Sequence, residues 1–308
     1  STLMTDNLIS KNTKDALSWE LFDAGSKNRK FQMPANPTMD NRLILDTENF
    51  FVVAGLGAFV PGYFLIITKK TYTSFAQLDD SELKEFNWLV KVLSEALKAK
   101  YDMRTALFEH GMCACAGGLD HAHVHLMPVP NNLDEKSFKN IIDKVLKKRA
   151  AGIKKIIFNN NEFDNIHDIS TIINFHKDYK ITDGKLLKSD DIRDFKNDFR
   201  EIRPELLKEL QYIQFKIING NINFCTKHYL GTQFGRELVY ETFFSLSDVS
   251  KILFNELDRA NPSQVIWRWQ DYYFDKNILI TMKDLSSYIV QLSIKDELVK
   301  NKINLHIK

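Results

Sequence analysis

The stretch His121–Pro130, HAHVHLMPVP, decides how this chain is read. Side chains alternate between the two faces of a β-strand, so residues at i, i+2 and i+4 share a face. A strand here puts His121, His123 and His125 side by side and turns Ala122, Val124 and Leu126 towards a core. Imidazole changes protonation near neutral pH, attacks electrophiles and binds metals. Three of the chain's eight histidines on one short strand face therefore mark a candidate catalytic site.

Working outwards, the upstream segment Phe50–Ile67 (FFVVAGLGAFVPGYFLII) is uncharged and long enough to cross a bilayer as a helix. Gly55, Gly57, Pro61 and Gly62 break it, and two β-rich runs flank the break, so it reads as a buried hairpin. Asp79 followed by Glu82 forms a capping box before a helix whose Leu83, Phe86, Val90, Leu93 and Leu97 make one apolar stripe. TALFEH (105–110) reads as a strand, Gly111–Gly118 as a small-residue loop, and residues 134–150 as a further helix. Strand, strand, helix, strand, loop, strand predicts an α+β fold with a largely antiparallel sheet.

The second half is expected to be mainly helical. Asn159–Asn161 marks a turn, a short helix is placed at 168–179, and the polar run 180–191 is the linker candidate. Residues 192–220 read as helical with Pro204 at a kink or a fresh start, 228–244 as a hairpin turning at Gly235, and the remainder as helix. This divides the chain into an N-terminal tail (1–20), a catalytic unit (21–182) and an accessory C-terminal region (183–308).

The bulk properties agree with a globular protein. The chain has 308 residues, 44% of them hydrophobic, and a net charge of +2, which offers no strong field for a polyanion. Three cysteines do not suggest a disulfide framework. With no apolar leader run in residues 1–20, the expectation is a cytoplasmic protein not associated with a membrane.

The triad strand, read together with VPGYFLIITKK (60–70), the helix after it and the glycine-containing loop before His121, resembles the histidine triad (HIT) superfamily over roughly residues 40–130. FEHG (108–111), Asp120, and WRWQDYYFDKNILIT with Thr281 resemble a bacterial subgroup that carries a C-terminal extension. The resemblance implies a HIT-like fold and chemistry at the α-phosphate of a nucleotide. It makes His123 the nucleophile of a covalent nucleotidyl-histidine, His121 the group that orients its ring, and His125 a donor to the phosphate oxygens. Glu109, His110, Gly117, Gly118, Tyr63 and Asn49 are the substrate-binding candidates. His125, where transferase branches commonly carry Gln, leans the expectation to hydrolysis of a dinucleoside polyphosphate or another nucleotide conjugate. No cofactor is required, although a divalent cation would accompany a polyphosphate substrate.

The chain also departs from the family pattern. Tyr63 and Thr71 stand where many members have histidine, Gly55 where several have a ribose-gripping acid, and Gly118 where a hydroxyl is common.

Rival readings remain open at this stage. They are a nucleotidyltransferase or phosphorylase, a catalytically silent nucleotide-binding protein, and a zinc hydrolase using the three histidines. Cys113 and Cys115 with Cys225 and His228 have a spacing zinc can accept, but buried thiols are the plainer account. Lys147, Lys148, Arg149, Lys154 and Lys155 form a basic cluster that is either a solvated helix end or a groove for nucleic-acid ends. Trp267, Arg268 and Trp269 either stack on a base or pack in a core, and Gln233, Arg236 and Lys251 are candidates to reach a phosphate. A homodimer is left open.

Overall fold

A computed structural model describes residues 42–70, 72, 74–111, 121–150, 156–158, 161–163, 212–220, 222–226, 233–246, 267–269 and 274–295. In it, β1 (Leu43–Asp46), β2 (Phe50–Ala54), β3 (Phe64–Thr68), β4 (Arg104–Gly111), β5 (His123–Val129), β8 (Tyr212–Ile217) and β9 (Asn223–Thr226) form one seven-stranded antiparallel sheet in the order β1-β2-β3-β5-β4-β8-β9. Between them in sequence, β6 (Ile156–Phe158) and β7 (Asn161–Phe163) pair with each other, Asn161 of the expected turn lying in β7. Among the described residues, four α-helices accompany the strands: α1 (Asp80–Tyr101), α2 (Glu135–Ala150), α3 (Phe234–Ser245) and α4 (Asp275–Lys295). The fold class is the expected one, α+β with helices packed on an antiparallel sheet.

The uncharged stretch is the hairpin its glycines and proline require. β2 pairs β3 from Phe50 opposite Thr68 to Ala54 opposite Phe64, and every residue of both strands is buried. Apolar runs without alternation belong to strands covered on both faces. On one face Phe50 and Phe86 of α1 pack with Phe75. On the other, Phe215 of β8 packs against Phe138 of α2, and α3 lies over β4 and β5. α1 starts at the predicted capping box, with both reciprocal bonds between Asp79 and Glu82 made. α4 packs along α1, and Tyr101 Oη donates to Asp284 at 3.2 Å. No helix among the described residues is long and apolar enough to cross a membrane.

Two elements differ from the sequence expectation. Tyr212–Ile217 lies in the span read as helix but is a strand, paired to β4 from Ala106 opposite Ile217 to Gly111 opposite Tyr212. Its YIQFKI sequence alternates apolar Ile213, Phe215 and Ile217 with Gln214 and Lys216, and the free edge of β4 makes that two-residue period decisive. Phe234–Ser245 was expected to be the second arm of a hairpin turning at Gly235 and is instead a helix. Phe234, Leu238 and Thr242 recur every four residues and are fully buried, a helical stripe. Gly235 sits in its first turn because a Cβ there would run into the Phe108 ring.

The C-terminal region thus supplies two strands of the main sheet as well as two helices. The helix expected at 168–179, the linker at 180–191 and the boundary at 182/183 lie outside the described residues.

Candidate active site

β5 is the central strand of the sheet, and its register sets the site. Ile67 of β3 lies opposite His123 and Leu65 opposite His125, while on the other side Phe108 of β4 lies opposite His125. Ala122, Val124 and Leu126 are buried on the reverse face, as alternation requires. The strand proper begins at His123. His121 precedes it, held because Ala122 donates its N–H to Tyr72 O at 2.7 Å and Thr68 donates to Ala122 O at 3.3 Å.

The three imidazoles do different things. The His121 ring is buried, and Nε2 donates to Thr68 O at 2.6 Å, with Thr68 Oγ1 at 3.1 Å. Its Nδ1 is buried with no hydrogen-bond partner among the described residues. Burial lowers the His121 pKa to about 4 against the opposing pull of the Thr68 carbonyl, so the ring is neutral at pH 7. The His121 carbonyl receives His123 Nδ1 at 2.8 Å. A carbonyl only accepts, so His123 carries its proton on Nδ1 and, as a neutral ring, has its lone pair on Nε2. His125 Nδ1 lies 2.5 Å from Tyr63 Oη, the two rings being near-parallel at 7°. The other side of His125 is the Phe108 ring, stacked at 4.5 Å. Burial, then the neighbouring His123, hold the His125 pKa well below its ordinary value. His123 and His125 themselves meet edge-on with ring centroids 5.0 Å apart.

His110 shares the face of Phe108 and His125, because it is two residues along β4 from Phe108. Gly235, in the first turn of α3, donates its N–H to His110 Nε2 at 3.3 Å. Burial, Arg149 and His123 together lower the His110 pKa to about 3. The expected substrate-binding residues Tyr63 and His110 are therefore brought to the triad.

Glu109 and Asn49 are not. Glu109 points through the opposite face of β4, where it accepts from Phe75 N at 2.8 Å, Tyr212 Oη at 2.7 Å and Gln214 Nε2 at 3.1 Å. This corrects the expectation that it holds a triad ring or a ribose: strand alternation turns it away from His125. Asn49 Nδ2 donates to Glu85 of α1 at 2.6 Å, so its amide is committed to the sheet–helix contact. Gly117 and Gly118, like Cys113, Cys115, Thr71 and His228, lie outside the described residues.

Lys148, Arg149 and Arg236, read as candidate anion or nucleic-acid contacts, are engaged by neighbouring elements, while Lys154, Lys155, Lys251 and the Lys147 side chain lie outside the described residues. Lys144 and Lys148 pair with Glu241 at 2.9 and 2.6 Å, and Arg149 Nε with Glu237 at 2.6 Å, clamping α2 to α3. The Trp267 ring lies under the Arg149 guanidinium, 5.2 Å from ring centroid to Cζ. Arg236 is buried and donates to the carbonyls of Trp267, Leu56 and Gly57 at 2.8, 3.3 and 2.5 Å.

No group of three or more His, Cys, Asp or Glu that could hold a metal ion occurs among the described residues.

Residues 36–132, which contain β1 to β5 and the three histidines, match the family model of the HIT domain. The HIT segment covers about a third of the sequence, and β8, β9, α3 and α4 are added to it. No curated protein matches the chain. Among solved structures it is similar to a hypothetical histidine triad nucleotide-binding protein from Sulfolobus tokodaii strain7, at 21% identity over 32% of this chain and 69% of that one, with a TM-score of 0.26. It is also similar to a Hit-like protein involved in cell-cycle regulation from Bartonella henselae, at 16% identity over 32% and 73%, with a TM-score of 0.27.

Departures from the HIT pattern have a physical counterpart. At Gly55, where several members carry an acid, a Cβ would collide with the Tyr63 ring, so no side chain fits. The sequence signalled Tyr63 and Gly55 separately; their mutual exclusion is visible only in three dimensions. Phe108, read only as part of FEHG, and Thr68 hold two triad rings, and sequence reasoning assigned neither a role at the site.

Proposed function

We propose that this protein is a nucleotidyl hydrolase that cleaves at the α-phosphate of a nucleotide conjugate, a dinucleoside polyphosphate or an NMP joined to another group. The observation that carries the reading is the His123 Nδ1 to His121 carbonyl bond, which leaves the lone pair on Nε2. In the first step Nε2 forms a P–N bond as the bond from phosphorus to the leaving-group oxygen breaks, that oxygen keeping the electron pair. The ring still holds its Nδ1 proton, so the intermediate is an imidazolium stabilised by the His121 carbonyl dipole. In the second step water forms a P–O bond, the P–N bond returns its pair to Nε2, and the water proton goes to solvent. Splitting one displacement into two is the logic of nucleophilic catalysis. His125 donates to the phosphate oxygens, where charge builds in the transition state.

The test is mass spectrometry of protein quenched during turnover of a panel of dinucleoside polyphosphates and nucleoside phosphoramidates. The expected result is a nucleotidyl adduct on the peptide containing His123, absent in His123→Ala, which keeps nucleotide binding. Near-normal turnover by His123→Ala overturns the covalent route. Repeating the reaction with inorganic phosphate separates hydrolysis from transfer by the product formed. The wall that Tyr63 makes at Gly55 favours a second reading, nucleotide binding without turnover. Saturable binding with neither adduct nor product would establish it.

A further inference from the structure

His125 Nδ1 faces Tyr63 Oη, and a contact of that kind fits either proton assignment when taken alone. Arg236 removes the ambiguity. Its guanidinium, on α3, lies over the Tyr63 ring, with Cζ 5.2 Å from the ring centroid. Guanidinium has five donors and no acceptor, so this neighbour cannot take the phenol hydrogen. The phenol hydrogen must then go elsewhere, and the acceptor that faces it among the described residues is His125 Nδ1.

Burial keeps Tyr63 protonated and His125 neutral, so there is one hydrogen to give and one lone pair to receive it. A neutral imidazole that accepts at Nδ1 carries its proton at Nε2. Arg236 is held in place by three carbonyls, from Leu56, Gly57 and Trp267, so its own position is set by the sheet loop and the C-terminal region together.

We propose that Arg236, acting through Tyr63, is a positioning residue that fixes His125 in the Nε2–H tautomer, opposite to that of His123. The accessory helix thereby makes one imidazole a nucleophile's neighbour with a proton to donate, while the backbone makes the other a lone pair. The catalytic use of that donor rests on the proposed reaction; the tautomer itself does not.

The test is a long-range 1H–15N correlation spectrum of the full chain with 15N-histidine, His125 being assigned by its loss in His125→Asn. The expected pattern is a protonated Nε2 and an unprotonated Nδ1 for His125, and the reverse for His123. A protonated Nδ1 on His125 in the wild type overturns the proposal with no variant needed. Tyr63→Phe keeps the ring and removes the hydroxyl, and is expected to give a mixture of the two His125 tautomers. Arg236→Lys, still donor-only, keeps the wild-type pattern, whereas Arg236→Gln, whose amide oxygen can take the phenol hydrogen, releases it. Identical spectra for wild type and Tyr63→Phe overturn the lock.

With a substrate identified by the adduct experiment, Tyr63→Phe is expected to lower kcat roughly 10- to 100-fold, the range for outer partners that fix a ring's tautomer, with KM changed less. The expected tautomers combined with unchanged kcat would overturn the donor role of His125 and leave the tautomer assignment standing.

Discussion

Glu109→Gln should reverse part of the pH dependence of stability. The Glu109 carboxyl is 1% exposed, and burial raises its pKa from 4.5 to about 7 against three hydrogen bonds that favour the charged form. Between those values the folded protein holds a proton that the unfolded chain has released. Stability therefore falls as pH rises from about 4.5 to about 7 and is flat above. At about 1.4 kcal/mol per tenfold change, the full loss is about 3 kcal/mol.

Neutral buried histidines act in the opposite sense. His121 and His110 have pKa values lowered from 6.5 to about 4 and about 3, so the stability they contribute is present above 6.5 and lost as pH falls through that window. The wild-type curve mixes both signs, but the difference between wild type and Glu109→Gln cancels the histidines. Urea midpoints with m-values at pH 5, 6, 7 and 8 give that difference. The variant is expected to gain about 2.5 kcal/mol relative to wild type from pH 5 to pH 8, whatever constant offset the amide introduces. Curves parallel to within a few tenths of a kcal/mol would refute the burial argument.

Two further outcomes follow from the same contacts. Gly235→Ala in an ordinary helix would stabilise by roughly 0.5–1 kcal/mol, but here the methyl meets the Phe108 ring, and overpacking of about 1–3 kcal/mol should win; a variant with a raised melting temperature would show that the contact is not tight. The His121 ring proton should titrate by NMR with a midpoint near 4, and a midpoint near 6.5 would mean the ring is not shielded beside Thr68.

What the sequence made legible was the part whose information is local. The period-two pair His123 and His125, the capping box at Asp79–Glu82 and the glycine-broken hairpin are each set by neighbours within a few residues and appear as expected, while His121 falls just before the strand. Tyr212–Ile217 was misread because six residues carry little pattern, and the edge of β4 that selects their strand conformation lies far off in sequence. Phe234–Ser245 was misread because a glycine next to β-favouring residues looks like a turn until the Phe108 ring that needs that glycine is known. The site divides the same way. His121, His123 and His125 were found by alternation, whereas the Arg236 contact to Leu56 joins residues 180 apart and no local signal announces it.

The sheet order also bears on how the protein is made. β4 lies between β5 and β8, so its outer edge stays an unpaired row of backbone donors and acceptors until residue 212 has left the ribosome. At synthesis rates of roughly 5–20 residues per second, the hundred or so residues after Gly111 take on the order of 5–20 s. For that interval the nascent chain displays Ala106, Leu107 and Phe108 on an open strand margin, the kind of surface that recruits other strands. A chaperone acting on the emerging polypeptide would find its substrate there, and slowing translation between Gly111 and Tyr212 should increase insoluble product.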